Sequence, residues 1–246
     1  MSSSSPKQRL RVLLADDHVV VREGLRAVLQ RQGFEIVGEA SDGRTAIAMC
    51  DTLRPEVAVL DIAMPLLNGI DAAREILKAQ PGTKIVLLTM YAEESYVLAG
   101  LRAGITGYVP KSNAASTLVQ AIHAVSKGDV YLSPVVSRAV VQAYLSNATV
   151  PPDPLSHRER QVLQLIAEGK TMKEIGDLLG ISPRTAETHR TRIMNRLDIH
   201  DTAGLVRYSI EHGLSPTGQG GGDADRPRGA RGTDRPPPRR RLTDDE

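Results

Sequence analysis

Apolar and polar positions along the first half of the chain follow two alternating periods. Short, mostly apolar runs at Arg11 to Ala15, Glu35 to Ala40, Glu56 to Leu60, Lys84 to Leu88 and Thr106 to Val109 predict strands. Between them, Val19 to Gln32, Gly43 to Leu53, Ile70 to Ala79, Tyr91 to Ala103 and Ala114 to Lys127 carry apolar residues at spacings of three and four. That spacing predicts helices, with Gly33 and Gly128 as C-terminal stops. Five strands alternating with five helices predict an α/β doubly wound five-stranded parallel sheet over residues 9–129, behind a disordered N-terminus at 1–8.

Past Asp129 the pattern changes. Val135 to Leu145 has helical spacing, whereas Asn147 to Pro154, with Pro151, Pro152 and Pro154, reads as a semi-rigid spacer, so residues 130–154 form a linker with one helix. Residues 155–214 then show only the helical period and predict a small all-α domain. Its helix starts are marked by capping boxes at Ser156 with Glu159 and Thr171 with Glu174, and by Ser182 before Pro183. A fourth start falls near Asp201. The helix, break at Gly180 to Ser182, and second helix from Lys173 to Leu197 have the spacing of a helix-turn-helix, although a plain helical bundle produces the same periodicity. Residues 215–246 turn abruptly to Gly, Pro, Arg and Asp. They predict a disordered tail whose seven arginines nearly cancel six acids.

Length and composition narrow the picture. A chain of 246 residues can bury two cores. Its formal net charge of +2 points to no nucleic-acid partner by itself, so any such contact must come from a local patch. Cys50 is the single cysteine, which excludes an internal disulfide framework and fits the cytoplasm. No apolar run approaches the roughly 18 residues of a membrane span, and the MSSSSPKQR start lacks the hydrophobic segment of a secretory signal.

The chemistry gathers at strand ends. Asp16 and Asp17 follow the first strand, Asp61 the third, Thr89 the fourth and Lys111 the fifth. In an open α/β sheet, ligand sites lie just beyond those ends. Each acid alone could cap a turn, but if the strands are neighbours three carboxylates, a hydroxyl and an ammonium converge. Clustered carboxylates require a cation, and an oxygen-only set favours Mg²⁺ over zinc. His18, next in the chain, reads as a capping or solvated residue, and Tyr108 reads either as a core aromatic or as something more.

The set Asp16, Asp17, Asp61, Thr89 and Lys111, with Tyr108 three residues before the lysine, resembles the receiver domain of bacterial two-component response regulators. That resemblance implies the strand order 2-1-3-4-5. It implies that Asp61 accepts a phosphoryl group from a phosphohistidine on a sensor histidine kinase. Asp16, Asp17, Asp61 and the carbonyl of Ala63 would hold Mg²⁺, while Lys111 and Thr89 would meet phosphoryl oxygens. Thr89 and Tyr108 would act as a switch, the tyrosine moving inward. Carboxylates do serve as covalent phosphoryl acceptors, and such transfer is mostly positioning and electrostatics.

Charge separates the helix-turn-helix from a plain bundle. From Pro183 to Leu197, Arg184, Arg190, Arg192 and Arg196 oppose only Glu187, which is a DNA-facing distribution. Ala186, Ile193 and Leu197 share an inward face, while Arg184, Thr188, Thr191 and Asn195 share the outward one. The stretch LSHRERQVLQLIAEGKTMKEIGDLLGISPRTAETHRTRIMNRLDI closely resembles the LuxR-type DNA-binding domain. Together with the receiver it makes residues 10–214 similar to the NarL/FixJ-family response regulators. By that resemblance Glu187, Thr188 and Thr191 contact bases of double-stranded DNA and Lys173 contacts its backbone, Arg184 and Arg192 of the charged helix join them, and phosphorylation promotes a homodimer.

The chain therefore reads as a cytoplasmic, phosphorylation-controlled transcription factor that turns over no external substrate. A haloacid-dehalogenase-type phosphohydrolase would carry a second Asp two residues past the nucleophile, where Ala63 stands. A dinucleotide enzyme would need a glycine-rich loop that ADDHVVVREG lacks. A receiver acting only through protein contacts would leave the helical unit indifferent to DNA.

Overall fold

In a computed structural model the described residues are 9–89, 94–145 and 153–215. The predicted terminal disorder, the start of the helix expected from Tyr91, most of the proline spacer and nearly all of the tail therefore lie outside them. Strands β1 (Arg11–Ala15), β2 (Glu35–Ala40), β3 (Val57–Asp61), β4 (Lys84–Thr89), β5 (Gly107–Pro110) and β6 (Tyr131–Leu132) form one sheet in the order 2-1-3-4-5-6. Every pairing is parallel. β1, β3 and β4 read as continuous apolar runs because both faces of the sheet are covered. Helices α1 (Val19–Arg31) and α5 (Ala114–Ser126) bury Leu25, Leu29, Leu118 and Ile122 on one face. The other face takes α2 (Gly43–Leu53), α3 (Gly69–Ala79) and α4 (Glu94–Arg102), with Ala46, Cys50, Ile70, Ile76 and Val97 in its core.

The five-stranded expectation is corrected by β6. After Gly128 (φ 92°) the chain turns back beside β5, and Tyr131 N–H donates to Thr106 O at 2.8 Å. Two half-buried residues are too short for a period of two to show. Helix α6 (Pro134–Leu145) follows, and its Val136 is buried in the same core as Val97 and Tyr108. β6 and the start of α6, read as linker from sequence, thus pack onto the sheet.

The second unit has its own core. Helices α7 (His157–Ala167), α8 (Met172–Leu179), α9 (Pro183–Leu197) and α10 (Thr202–Glu211) enclose Val162, Leu163, Ile166, Ile175, Ala186, Ile193 and Leu205. Both capping boxes form, and Ser182 caps α9 with Pro183 at its first position. The α8–α9 turn is tight: Gly180 is left-handed (φ 64°), and a Cβ on Gly176 would lie 2.7 Å from Ile181 O.

Candidate functional site

Strand register assembles the first site. Ala15 stands opposite Leu60, Asp61 opposite Leu88 and Thr89 opposite Pro110, so Asp16, Asp61, Thr89 and Lys111 emerge together at the carboxyl edge. Lys111 Nζ lies 2.8 Å from Asp61 Oδ2 and 2.9 Å from Asp16 Oδ2. Asp16, Asp61 and Thr89 are buried, and Asp17 is partly so. Burial pushes the Asp61 carboxyl up to about 6 against the opposing charge of Lys111. Lys111 is itself held above its usual range by Asp61 and Asp16, although burial works the other way.

Ligand atoms of Asp16, Asp17, His18 and Asp61 all fall within 4.8 Å of one another. Three carboxylates against one ammonium leave an excess of negative charge on oxygen donors, which is the donor set a hard cation such as Mg²⁺ takes. The sequence reads His18 as a capping or solvated residue. Its ring sits beside the cluster, Nδ1 2.7 Å from Asp17 Oδ1, but caps no helix bond with its side chain.

The loop that leaves Asp61 is held tightly. Gly69 N–H donates to Ile62 O at 2.9 Å, and a Cβ on Gly69 would lie 2.1 Å from Asp61 O, so only glycine allows α3 to start there. Ala63 lies on this loop, two residues past Asp61. Tyr108 is already inward, 1% exposed, with its hydroxyl donating to Val97 O at 3.3 Å. Gly100 admits that ring: a Cβ there would fall 1.9 Å from the phenol oxygen. The Tyr108 ring thus lies inward in this structure.

On the second unit, Arg184, Glu187, Thr188, Thr191 and Arg192 of α9 and Lys173 of α8 are all exposed. The Thr188 and Thr191 hydroxyls donate to the carbonyls of Arg184 and Glu187 one turn earlier, at 2.9 and 3.1 Å. Two of the four arginines counted on this helix have structural partners. Arg190 pairs with Glu187 and reaches Thr202, while Arg196 lies 2.6 Å from Glu159. Arg184 and Arg192 carry the remaining positive charge of the outward face.

A third feature had no counterpart in the sequence reading. Helix α7 lies against the loop after Asp61 and the start of α3. Gln164 Nε2 donates to Met64 O at 2.8 Å, and its Oε1 accepts from Asn68 N–H at 2.9 Å. Glu168 accepts the N–H of Leu66 at 3.0 Å. Leu66 itself adopts a left-handed conformation (φ 64°) and packs against the core of the helical unit. Asp71, 1% exposed, receives Arg160 from α7 at 3.2 Å, Arg74 at 2.8 Å and the ring of His157 at 3.2 Å. Burial opposes its charge, yet His157 and Arg160 hold its carboxyl well below the usual range. Gln161, Gln164 and Glu168 do form a polar stripe at spacings of three and four along α7, but their partners are about a hundred residues away. This docking leaves the outward face of α9 open.

Comparison with known proteins agrees with both halves. Residues 12–123 match the response regulator receiver domain, and residues 153–209 match the bacterial regulatory proteins of the luxR family. The chain is 37% identical over 209 residues to the transcriptional regulatory protein MctR of Rhizobium johnstonii, covering 85% of this chain and 96% of that one. It is 37% identical over 208 residues to LiaR of Bacillus subtilis, covering 83% and 99%. Among solved structures, RcsB of Salmonella enterica serovar Typhimurium, bound to the promoter P1flhDC with the phosphomimetic BeF3-, superposes with a TM-score of 0.57. That pair is 28% identical and covers 85% of this chain and all of the other.

Proposed function

We propose, for a chain that belongs to the LuxR-type two-component response regulators, that phosphorylation of Asp61 controls how its helical domain engages DNA. The receiver and the DNA-binding domain are both present, and the protein is a transcription regulator. The observation that carries the finer reading is the convergence of Asp61 with Asp16, Asp17 and Lys111 at one sheet edge.

An Asp61 oxygen attacks the phosphorus of a phosphohistidine on a sensor kinase. The P–O bond forms as the P–N bond breaks, and the imidazole leaves with the electron pair and takes up a proton. Lys111 offsets charge on one phosphoryl oxygen, and Thr89 is placed at the next strand end to donate to another. Asp16, Asp17, Asp61 and the Ala63 carbonyl would hold Mg²⁺, which would supply further charge neutralisation. After the transfer the group stays on the protein, so no external substrate is turned over. Acetyl phosphate with Mg²⁺, read by intact mass, should give one phosphoryl adduct; two or more at saturation would assign the acceptor elsewhere.

Two routes lead from Asp61 to DNA. Thr89 and Tyr108 form one, through the α4 face that Val97 and Gly100 present to the tyrosine. The loop at 62–68 forms the other, because Gln164 and Glu168 hold its backbone directly. Since α9 is open while α7 is docked, this control acts on where the DNA-binding domain is held rather than on uncovering it. Freed domains of two chains, paired as a homodimer, could occupy half-sites about 34–36 Å apart. Among the described residues no helix is long and apolar enough to cross a membrane. A regulator that works on DNA acts in the cytoplasm.

Contacts on the DNA face divide by position. Thr188 and Thr191 face the groove and set sequence preference, with Arg184, Glu187 and Arg192 beside them, while Lys173 faces phosphates. Replacing Thr188 should change discrimination at one base position by about 1 to 3 kcal/mol. Lys173→Ala should weaken all sequences alike and lower the salt slope by about one. A changed base preference for Lys173→Ala with an unchanged slope would reverse the assignment.

A further inference from the structure

His157 occupies an unusual position for a histidine. It is the first residue of α7, where the positive end of the helix disfavours an imidazolium. Yet each of its ring nitrogens faces a carboxylate of the other domain. Nδ1 lies 3.2 Å from Asp71 Oδ1 as an ion pair rather than an aligned hydrogen bond, and Nε2 lies 3.1 Å from Glu75 Oε1. A neutral imidazole carries one N–H and would turn a lone pair toward one of these acids, whereas an imidazolium satisfies both.

The surrounding charges favour the doubly protonated ring. On α3, Asp71 and Glu75 face it, and Arg74 shares Asp71. On α7, Arg160 binds Asp71 and Asp153, while Arg158 donates to Gln161 Oε1 and to Leu179 O. Glu159 is turned away toward Arg196. Gln161 Nε2 donates to Glu75 Oε1 at 3.1 Å and also lies 3.0 Å from His157 Nε2, so its second N–H can be accepted by that nitrogen once the ring has lost its proton. Across from Arg158, Arg44 of α2 adds positive charge. The close approach of the Asp71 carboxylate is the largest influence on His157 and raises its pKa above the usual value, against burial and Arg160.

We propose that His157 is an acid-responsive latch between the two domains: with both ring nitrogens protonated it ties α7 to Asp71 and Glu75 of α3, and loss of one proton loosens the DNA-binding domain. The effect on DNA rests on the reading that docking governs DNA engagement; the latch itself does not. Because docking raises the affinity of the ring for its proton, the added stability is fully present below the undocked pKa and is lost as pH rises through the docked one. One proton is linked, so the docking constant falls by at most about tenfold per pH unit in that window.

The test uses the full chain with fluorophores on Lys78→Cys and Ala203→Cys. Both sites are exposed, and the native thiol Cys50 is buried. Energy transfer is followed from about pH 5 to about pH 8, the range in which histidine changes charge. The wild type should lose transfer as pH rises, with the midpoint matching the titration of the His157 ring signals by NMR. His157→Gln, which can hydrogen-bond but not charge, should show lower and pH-independent transfer. A flat wild-type profile, a ring titration away from the docking midpoint, or a wild-type profile in His157→Gln would overturn the latch. Phosphorylation at fixed pH probes the other reading separately: transfer that follows pH but ignores phosphorylation supports the latch and removes the proposed coupling.

Discussion

Asp61→Asn is expected to reduce phosphoryl labelling by acetyl phosphate to background while leaving the fold intact. The amide keeps the volume of the carboxylate but is no nucleophile, and Lys111 retains Asp16 at 2.9 Å as its partner. No other carboxylate on this edge combines burial with Lys111 and the loop that α7 grips. Asp16 is buried and touches Lys111, but it follows β1 and lies off the 62–68 loop. Intact-mass measurement of both proteins at equal exposure decides the matter. An adduct of wild-type yield on Asp61→Asn would take Asp61 out of the reaction.

The second large effect falls on docking. Asp71→Ala leaves Arg160, whose side chain is 11% exposed, without its buried partner and removes one of the two acids around His157. Breaking a buried pair by deleting one member typically costs about 3 to 5 kcal/mol, roughly 10²- to 10⁴-fold in the docking constant. Transfer between the labels at positions 78 and 203 should therefore drop to the undocked level at every pH, while Asp61 still accepts a phosphoryl group. Unchanged transfer would mean that the Gln164 and Glu168 hydrogen bonds and the Leu66 contact hold the domains without Asp71.

The acidic edge was legible because its residues sit at or just past the ends of buried strands, and strand ends in such sheets coincide. The helix-turn-helix was legible from caps: Ser156, Thr171 and Ser182 each mark a start within a residue of the observed one. Strand β6 was not, since pairing of two half-buried residues depends on β5 lying beside them rather than on any local period. The rotamer of Tyr108 depends on Gly100, eight residues earlier, lacking a Cβ. The α7 interface was invisible for a similar reason. Asp71 and Arg160 are 89 positions apart, and a buried acid early in a helix looks like an ordinary N-terminal charge until the second domain covers it.

The central claim is that the phosphoryl group on Asp61 changes DNA affinity. An operator fragment selected from a random pool, titrated with phosphorylated and unphosphorylated full chain at one salt concentration and verified occupancy, tests it most directly. Coupling between two sites is typically about 1 to 3 kcal/mol, so the phosphorylated protein should bind about 5- to 150-fold more tightly, and Asp61→Asn should show no gain. Equal affinity of the two wild-type forms at full occupancy would contradict the account.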